Sequence, residues 1–491
     1  MRAYVIFRIL GIILIVEGLC ILICGILCIV DGNEIWIGMI YSASINILIG
    51  GLTVIFTPKL IEFNIRESLI IIVFGWLMVS FMGALPFIFT KTIPNFTNAI
   101  FESVSGFTTT GASILQDVES LPRGILLWRS LTHFLGGMGI ILFALAIIPM
   151  VGAGGMTLLR SENPLLSQDR ATPSLFDWLR IIFLIYVGLI TIETLLLMIA
   201  GLSLFDAINH SIGSIATGGF STKNQSLQSF NNIYADIIVT IFMFAGGMNF
   251  AIYYHLLRKR FRTVIHREDF LFYTIFIASA LLLITLVNYL NNTYDSIFSS
   301  LRYSAFNVVS ANTTTGFAND DFDKWRIFSK IFLILLMLIG ASAGSTCGAI
   351  KNIRIFILWK CVVREIKKML HPAGVFVVHI NGKRVEELDL LNTIVFVATY
   401  LLIFLIITLL VLGTGLDFTS AFSGTAATMG GVGPGLNVLG PMQNYGSISP
   451  IAKWLFILAM ILGRLEIFTF LSVIHPHFWL HSKIKWRSTQ K

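Results

Sequence analysis

The chain is constrained most by a fourfold alternation of segment length. Apolar runs at 69–90, 179–200, 270–290 and 391–411 are each long enough to cross a hydrocarbon layer of about 30 Å. Each is followed by a segment that is not. These short segments begin near Asn95, Leu204, Ser296 and Asp417, run some ten to fifteen apolar or small residues behind capping or acidic side chains, and stop at a glycine turn. A second spanning-length run follows each one, at 128–150, 233–257, 327–359 and 451–474. The unit of helix, half-helix, turn and helix is therefore written four times, and the half-helices are expected to be re-entrant.

Aligning the short segments exposes the repeat itself. AIFESVSGFTTTG (99–111), AINHSIGSIATGG (207–219), SAFNVVSANTTTG (304–316) and AFSGTAATMGGVG (421–433) each open on Ala or Ser and close twelve residues later on Gly. An extra apolar pair, roughly 6–30 and 36–56, precedes them and brings the expected total to about ten full spans. The predicted architecture is an all-α polytopic membrane protein. It comprises an N-terminal helix pair (1–60), pore repeat 1 (61–155), repeat 2 (171–262), repeat 3 with an interrupted last helix (263–370), and repeat 4 with a tail (385–491).

Composition agrees with lipid as the solvent: of 491 residues, 56% are hydrophobic and 12% charged, where a soluble chain carries about 25% charged residues. The net charge of +8 does not signal nucleic acid, because the basic residues collect between apolar blocks at RKRFR (258–262), KNIR and REIKK (351–368) and KIKWR (483–487). By the positive-inside rule those segments, and with them both termini, are expected in the cytoplasm. The first apolar run lacks a cleavage site and reads as a retained helix. Cys20, Cys24 and Cys28 share one helix face and read as small packing residues, while Cys347 and Cys361 have no partner at a metal-ligand spacing.

Irregular backbone at membrane depth survives only where protein surrounds it or it lines a water-filled path. Four such turns, one per repeat, are able to converge on one axis and present a ring of carbonyl oxygens in place of an ion's hydration shell. Glycine reaches positive φ without penalty and lets the carbonyl aim inward. The preceding threonines either pack outward or offer a hydroxyl. The half-helices direct their negative carboxyl ends at the same cavity, which favours a cation. The competing explanation is close helix packing, for which Gly, Ser and Thr are also used, as in GGMG (136–139) and AGGMN (245–249). Four turns in register between paired spans favour the ring.

With TTTGAS in the first turn and GPG after the fourth, the chain resembles the Trk/Ktr/HKT superfamily of potassium transporters over nearly its whole length. Within it, the extra N-terminal pair and GASAGSTCGAIK are most similar to the TrkH family of bacterial transmembrane subunits. The resemblance implies a potassium filter of four turns, here Thr109, Thr110 and Gly111; Thr217, Gly218 and Gly219; Thr314, Thr315 and Gly316; and Gly431, Val432 and Gly433. It implies a homodimer in the bacterial cytoplasmic membrane, docked on a cytosolic nucleotide-binding ring of the TrkA type through the basic loops at 258–268 and 351–368. A glycine rather than a serine at Gly111 points to potassium, while MGGVGPG departs from the Asn-rich fourth turn expected of the family.

Two further stretches bear on control of flow. GASAGSTCG (340–348) weakens its span at about 1 kcal/mol per glycine, and the resemblance makes Gly340, Gly344, Ser345 and Gly348 part of an intramembrane gate, with Lys351 just beyond; a close helix crossing is the alternative. Arg464 in the last span costs about 2.5–3.5 kcal/mol at the bilayer centre and must face water or a partner; the resemblance places it in the pore below the filter, the alternative being an interhelical or snorkelling arginine. Glu17, Glu193 and Glu466 read as packing partners, and Glu102 as a candidate support of the first turn. No phosphate loop or zinc motif occurs, so neither an enzyme nor an ATPase is expected, and no cofactor beyond the potassium ions carried. A potential of about 100 mV supplies about 2.3 kcal/mol per charge, enough for passive gated accumulation. A sodium-permeable or sodium-coupled carrier of the same architecture is the alternative transport reading.

Overall fold

The computed structural model describes residues 2–58, 65–139 and 175–480. The later part of the run at 128–150, the loop to residue 174 and the basic tail at 483–487 lie outside the described residues. Among the described residues, six helices have the length and apolarity to cross a membrane, and two bent helix pairs qualify if each is counted as one span.

The extra pair, Ala3–Val30 and Trp36–Phe56, closes as an antiparallel hairpin along a seam of small residues. A Cβ on Gly11 would strike the Gly50 carbonyl, and one on Gly18 would meet the Ala43 carbonyl at 3.0 Å, so small residues permit this backbone approach. The pair is tied down at both ends. Arg8 donates to the carbonyls of Val54 (2.9 Å) and Thr57 (2.6 Å), and Arg123, at the start of the helix Arg123–Gly137, pairs with Asp31.

Four half-helices follow the pattern expected of the short segments: Phe96–Phe107, Leu204–Ile215, Ile297–Asn312 and Phe418–Gly430. Each is started by a side-chain oxygen that takes an otherwise orphaned backbone N–H. Asn95 accepts from Asn98, Ser203 from Asp206, Ser296 from Ser299 and Asp417 from Ser420. The long helices Ile65–Met82, Leu175–Ile199, Glu268–Leu290 and Glu387–Leu412 precede them.

The second helix of the repeats departs from the expectation of continuous spans. The run at 233–257 breaks into Ile233–Gly246 and Phe250–Leu257, bent by 99°, and that at 451–474 into Pro450–Arg464 and Ile467–Ile474, bent by 110°. The first break follows from Asn249, which caps a new helix by accepting from the Ala251 N–H at 2.9 Å. The second falls at Glu466, a non-glycine residue held at φ 53°. In repeat 3, Ile327–Leu338 and Asn352–Leu370 are separated by the GASAGSTCG loop. The ends of that loop are pinned by a short parallel pairing of Ile339 with Ile350 and Gly340 with Lys351. The basic stretch 351–368, expected as a loop, lies almost wholly in this helix, and a tight hairpin of His379–Ile380 with Lys383–Arg384 follows it.

Candidate ion pathway

Each half-helix ends in the same backbone figure. The N–H groups of Thr110, Gly218, Thr315 and Val432 donate to the carbonyls five residues earlier, Ser105, Gly213, Ser310 and Ala427, at 2.7–2.9 Å. This is a Schellman closure, which requires a left-handed residue just before the donor. That residue is Thr109 (φ 51°), Thr217 (54°), Thr314 (54°) or Gly431 (75°). Two positions further on the chain turns left-handed again at Gly111 (76°), Gly219 (79°), Gly316 (83°) and Gly433 (97°). Holding a threonine there costs on the order of 1–3 kcal/mol, so the surroundings must impose it three times.

The four turns close on one another as a cycle. A Cβ added to Gly111 would overlap the Gly218 carbonyl oxygen, one on Gly219 that of Thr315, one on Gly316 that of Val432, and one on Gly433 that of Thr110. The cycle returns to its start only if all four turns surround a common axis. It brings together every residue expected at the filter, with the oxygens of Thr110, Gly218, Thr315 and Val432 at the points of closest approach. Four helix carboxyl ends and a group of carbonyl oxygens are an electrostatic arrangement that favours a cation over an anion.

The threonine hydroxyls serve the scaffold. Thr110 and Thr315 are bonded to Thr108 and Thr313 at 2.8 Å, which in turn donate to the carbonyls of Val104 and Val309. The Thr217 hydroxyl meets that of Thr346 at 3.2 Å, and the Thr314 hydroxyl accepts from the Gly348 N–H at 3.0 Å. The second and third turns therefore rest on the repeat-3 loop.

Behind the turns lies a layer of supports in common register but unlike chemistry. Nine residues before the closing glycines stand Glu102, His210, Asn307 and Gly424. Glu102 accepts from the Ile114 N–H (2.9 Å) and from Arg129 (2.8 Å), both side chains being essentially buried. Arg129 continues to the Ser221 carbonyl (3.1 Å) and stacks over Phe220, joining repeat 1 to repeat 2. His133 lies 2.8 Å from the Gly106 carbonyl through Nδ1 and accepts from the Phe220 N–H through Nε2 at 3.1 Å, bracing the same two turns. His210 reaches the Ser221 hydroxyl at 2.9 Å, and Asn307 reaches Asn319 at 3.0 Å. In repeat 4 the neighbouring Ser423 accepts from the Leu436 N–H at 2.9 Å. Arg129 and His133 were missed in the sequence; the available signal was two ionisable side chains inside one spanning segment.

Below the ring the loop at 340–348 is held by cations. Arg464 donates to the Thr346 carbonyl (2.6 Å) and, across the molecule, to the Gly136 carbonyl of repeat 1 (2.7 Å). Lys351 is buried with its ammonium on the Cys347 carbonyl. Gly344 turns at φ 80° and accepts from the Phe250 N–H, Ser345 donates to the Ser342 carbonyl, and a Cβ on Gly340 would strike the Gly348 carbonyl. A cavity of about 40 Å³ lies against this loop, lined by Lys351, Arg354, Tyr400, Arg464 and Glu466 among others. Glu466 pairs with Arg354 at 2.9 Å, and Glu193 takes the Ser214 hydroxyl behind the second turn. Glu17 is buried in the extra pair, with no hydrogen bond to either carboxylate oxygen among the described residues.

A family described as "Cation transport protein", TrkH, matches residues 35–477. The Trk system potassium uptake protein TrkH of Salmonella typhimurium is 40% identical over 424 residues, covering 85% of this chain and 87% of that protein. The Trk system potassium uptake protein TrkH of Halomonas elongata is 32% identical over 485 residues, covering 98% and 100%. The crystal structure of the potassium transporter TrkH from Vibrio parahaemolyticus superposes with a TM-score of 0.88 at 30% identity, covering 98% of this chain and all of that one.

Proposed function

The chain belongs to the TrkH family of cation transport proteins, and from that premise we propose that it takes potassium into the cell across the bacterial cytoplasmic membrane. The observation that carries the reading is the closed cycle of left-handed glycines and neighbouring carbonyls, which supplies a dehydrated cation with oxygens on all sides. In this reading the ion passes Thr109, Thr110 and Gly111 and their counterparts Thr217, Gly218 and Gly219, Thr314, Thr315 and Gly316, and Gly431, Val432 and Gly433. The loop at 340–348 closes the path below, and Arg464 and Lys351 latch it by its own carbonyls. Opening then requires those bonds to exchange for water, which places control of the gate within reach of movements of the helix Asn352–Leu370 that continues from the loop.

That helix carries much of the basic segment at 351–368. A homodimer with a cytosolic nucleotide-binding ring of the TrkA type fits this arrangement, with regulation transmitted along the helix to the latch. Both termini lie in the cytoplasm in this reading.

Complementation tests the function. A bacterium lacking potassium uptake should grow at low potassium when it expresses this chain, and Gly316→Ser should abolish the rescue while the protein still reaches the membrane. The added side chain would collide with the Val432 carbonyl at a backbone angle that disfavours it. Uptake that follows sodium and ignores potassium overturns the proposal.

A further inference from the structure

Among the described residues, the fourth turn carries a side-chain bond for which the other three have no counterpart. The phenol of Tyr445 donates to the carbonyl oxygen of Gly433 at 2.7 Å. Among the described residues, no side chain is bonded to the corresponding carbonyls of Gly111, Gly219 and Gly316. Tyr445 is 2% exposed, and its ring is set between Phe101 of the first half-helix and Phe456 of the last repeat, at centroid distances of 5.3 and 5.5 Å. Its backbone N–H donates to the Ser113 carbonyl at 2.8 Å, two residues past Gly111. The next residue, Gly446, approaches the Ile114 carbonyl so closely that a Cβ would lie 2.9 Å from it. Lys453 closes the same corner by donating to the Gly446 carbonyl and to Asn98, each at 2.8 Å. One side chain thus anchors the Gly433 oxygen and, through its backbone, joins the fourth turn to the first.

We propose that Tyr445 is a positioning residue that sets the alkali-cation selectivity of the pathway, by fixing the orientation of the Gly433 carbonyl and thereby making the four closing-glycine carbonyls, those of Gly111, Gly219, Gly316 and Gly433, unequal. The inference rests on the reading of the four turns as a filter. A carbonyl oxygen has two lone pairs, so the phenol takes one and holds the other in a fixed direction. Among the described residues no side-chain donor holds the carbonyls of Gly111, Gly219 and Gly316, so Gly433 is the one of the four whose oxygen is tied to a side chain. Selectivity in such a ring depends on the number and field of oxygens that follow the ion, so immobilising one of four changes which ion the layer fits.

The test uses the full chain in liposomes and compares potassium, rubidium and sodium fluxes. Tyr445→Phe keeps the ring and its packing and removes only the donor. The expected result is a potassium-to-sodium flux ratio shifted by about three- to tenfold, the span of one net hydrogen bond, in a protein that remains folded with a slightly lowered melting temperature. Difluorotyrosine at 445 keeps the shape and sharpens the donor, and is expected to move the ratio as well, which secures the test if the phenylalanine variant folds poorly. Ratios unchanged in both overturn the proposal and leave Tyr445 a packing residue. A parent chain that prefers sodium overturns the potassium reading instead, while the shift of its ratio on substitution still decides the role of Tyr445.

Discussion

The first and fourth turns share a backbone and little else. Both close with the same Schellman bond and both return to positive φ at a glycine pressed on a neighbouring carbonyl. The first is written with threonines and held by ions, Glu102 receiving both Arg129 and the Ile114 N–H. The fourth is written GGVG and held by neutral donors, the Tyr445 phenol and the Leu436 N–H on Ser423. The difference shows that the turn is specified by backbone geometry, since two unrelated sets of side chains reach the same figure. It also shows that the ring is chemically lopsided: a buried charge pair braces one side and neutral donors the other.

The comparison is broken most completely at Gly433. Gly433→Ala places a methyl 2.5 Å from the Thr110 carbonyl, at a point where the first and fourth turns meet. Transport should be lost, with uptake in the complementation assay at background. Next in size is Arg129→Met. Removing one member of a buried pair leaves Glu102 uncompensated and costs about 3–5 kcal/mol, so thermal unfolding in detergent should shift down strongly and little protein should accumulate. Adding Glu102→Gln to Arg129→Met should recover much of that loss, because the orphaned charge is gone. A double variant as unstable as the single one would mean that Arg129 acts through its stacking on Phe220 and its bond to Ser221, and that the first turn is no more ionic than the fourth.

Much of this was legible because lipid permits few structures. The capping residues Asn95, Ser296 and Asp417 mark the starts of three half-helices, and Ser203 stands one residue before the expected start of the other. The broken helix of repeat 3 was visible because three glycines fall in nine positions of an apolar run. The breaks at 247–249 and 465–466 were not. AGGMN reads as a packing stretch, and it is one: a Cβ on Gly246 would lie 3.0 Å from the Ser214 carbonyl. The same stretch also ends a helix, which only the cap at Asn249 reveals. At 466 the left-handed residue is a glutamate, and its ion-pair partner, Arg354, lies 112 residues away. The supports were hidden for a related reason. Arg129 and His133 act on turns of two repeats at once, with partners 27 residues away in repeat 1 and 92 and 87 residues away in repeat 2, and no local spacing announces them.

Within the fourth turn itself the comparison can be sharpened to a single position. Gly431 and Gly433 are two residues apart and both left-handed, yet they answer to different constraints. At Gly431 the nearest atom to an added Cβ is the Gly348 Cα at 3.9 Å, so space is available, and the three equivalent positions already hold threonine at φ 51–54°. The expected conformational cost of Gly431→Thr is about 1–3 kcal/mol, as at the other three turns, offset in part by the smaller entropy of the unfolded chain. The variant should therefore fold and transport within about threefold of the parent, in contrast to Gly433→Ala. Its hydroxyl would stand beside Gly348, as those of Thr217 and Thr314 stand beside Thr346 and Gly348, so any change should appear in how readily the loop opens and leave ion preference alone. Loss of transport in Gly431→Thr, measured beside an intact melting curve, would show that the fourth turn uses its glycine for motion that the other three do not make.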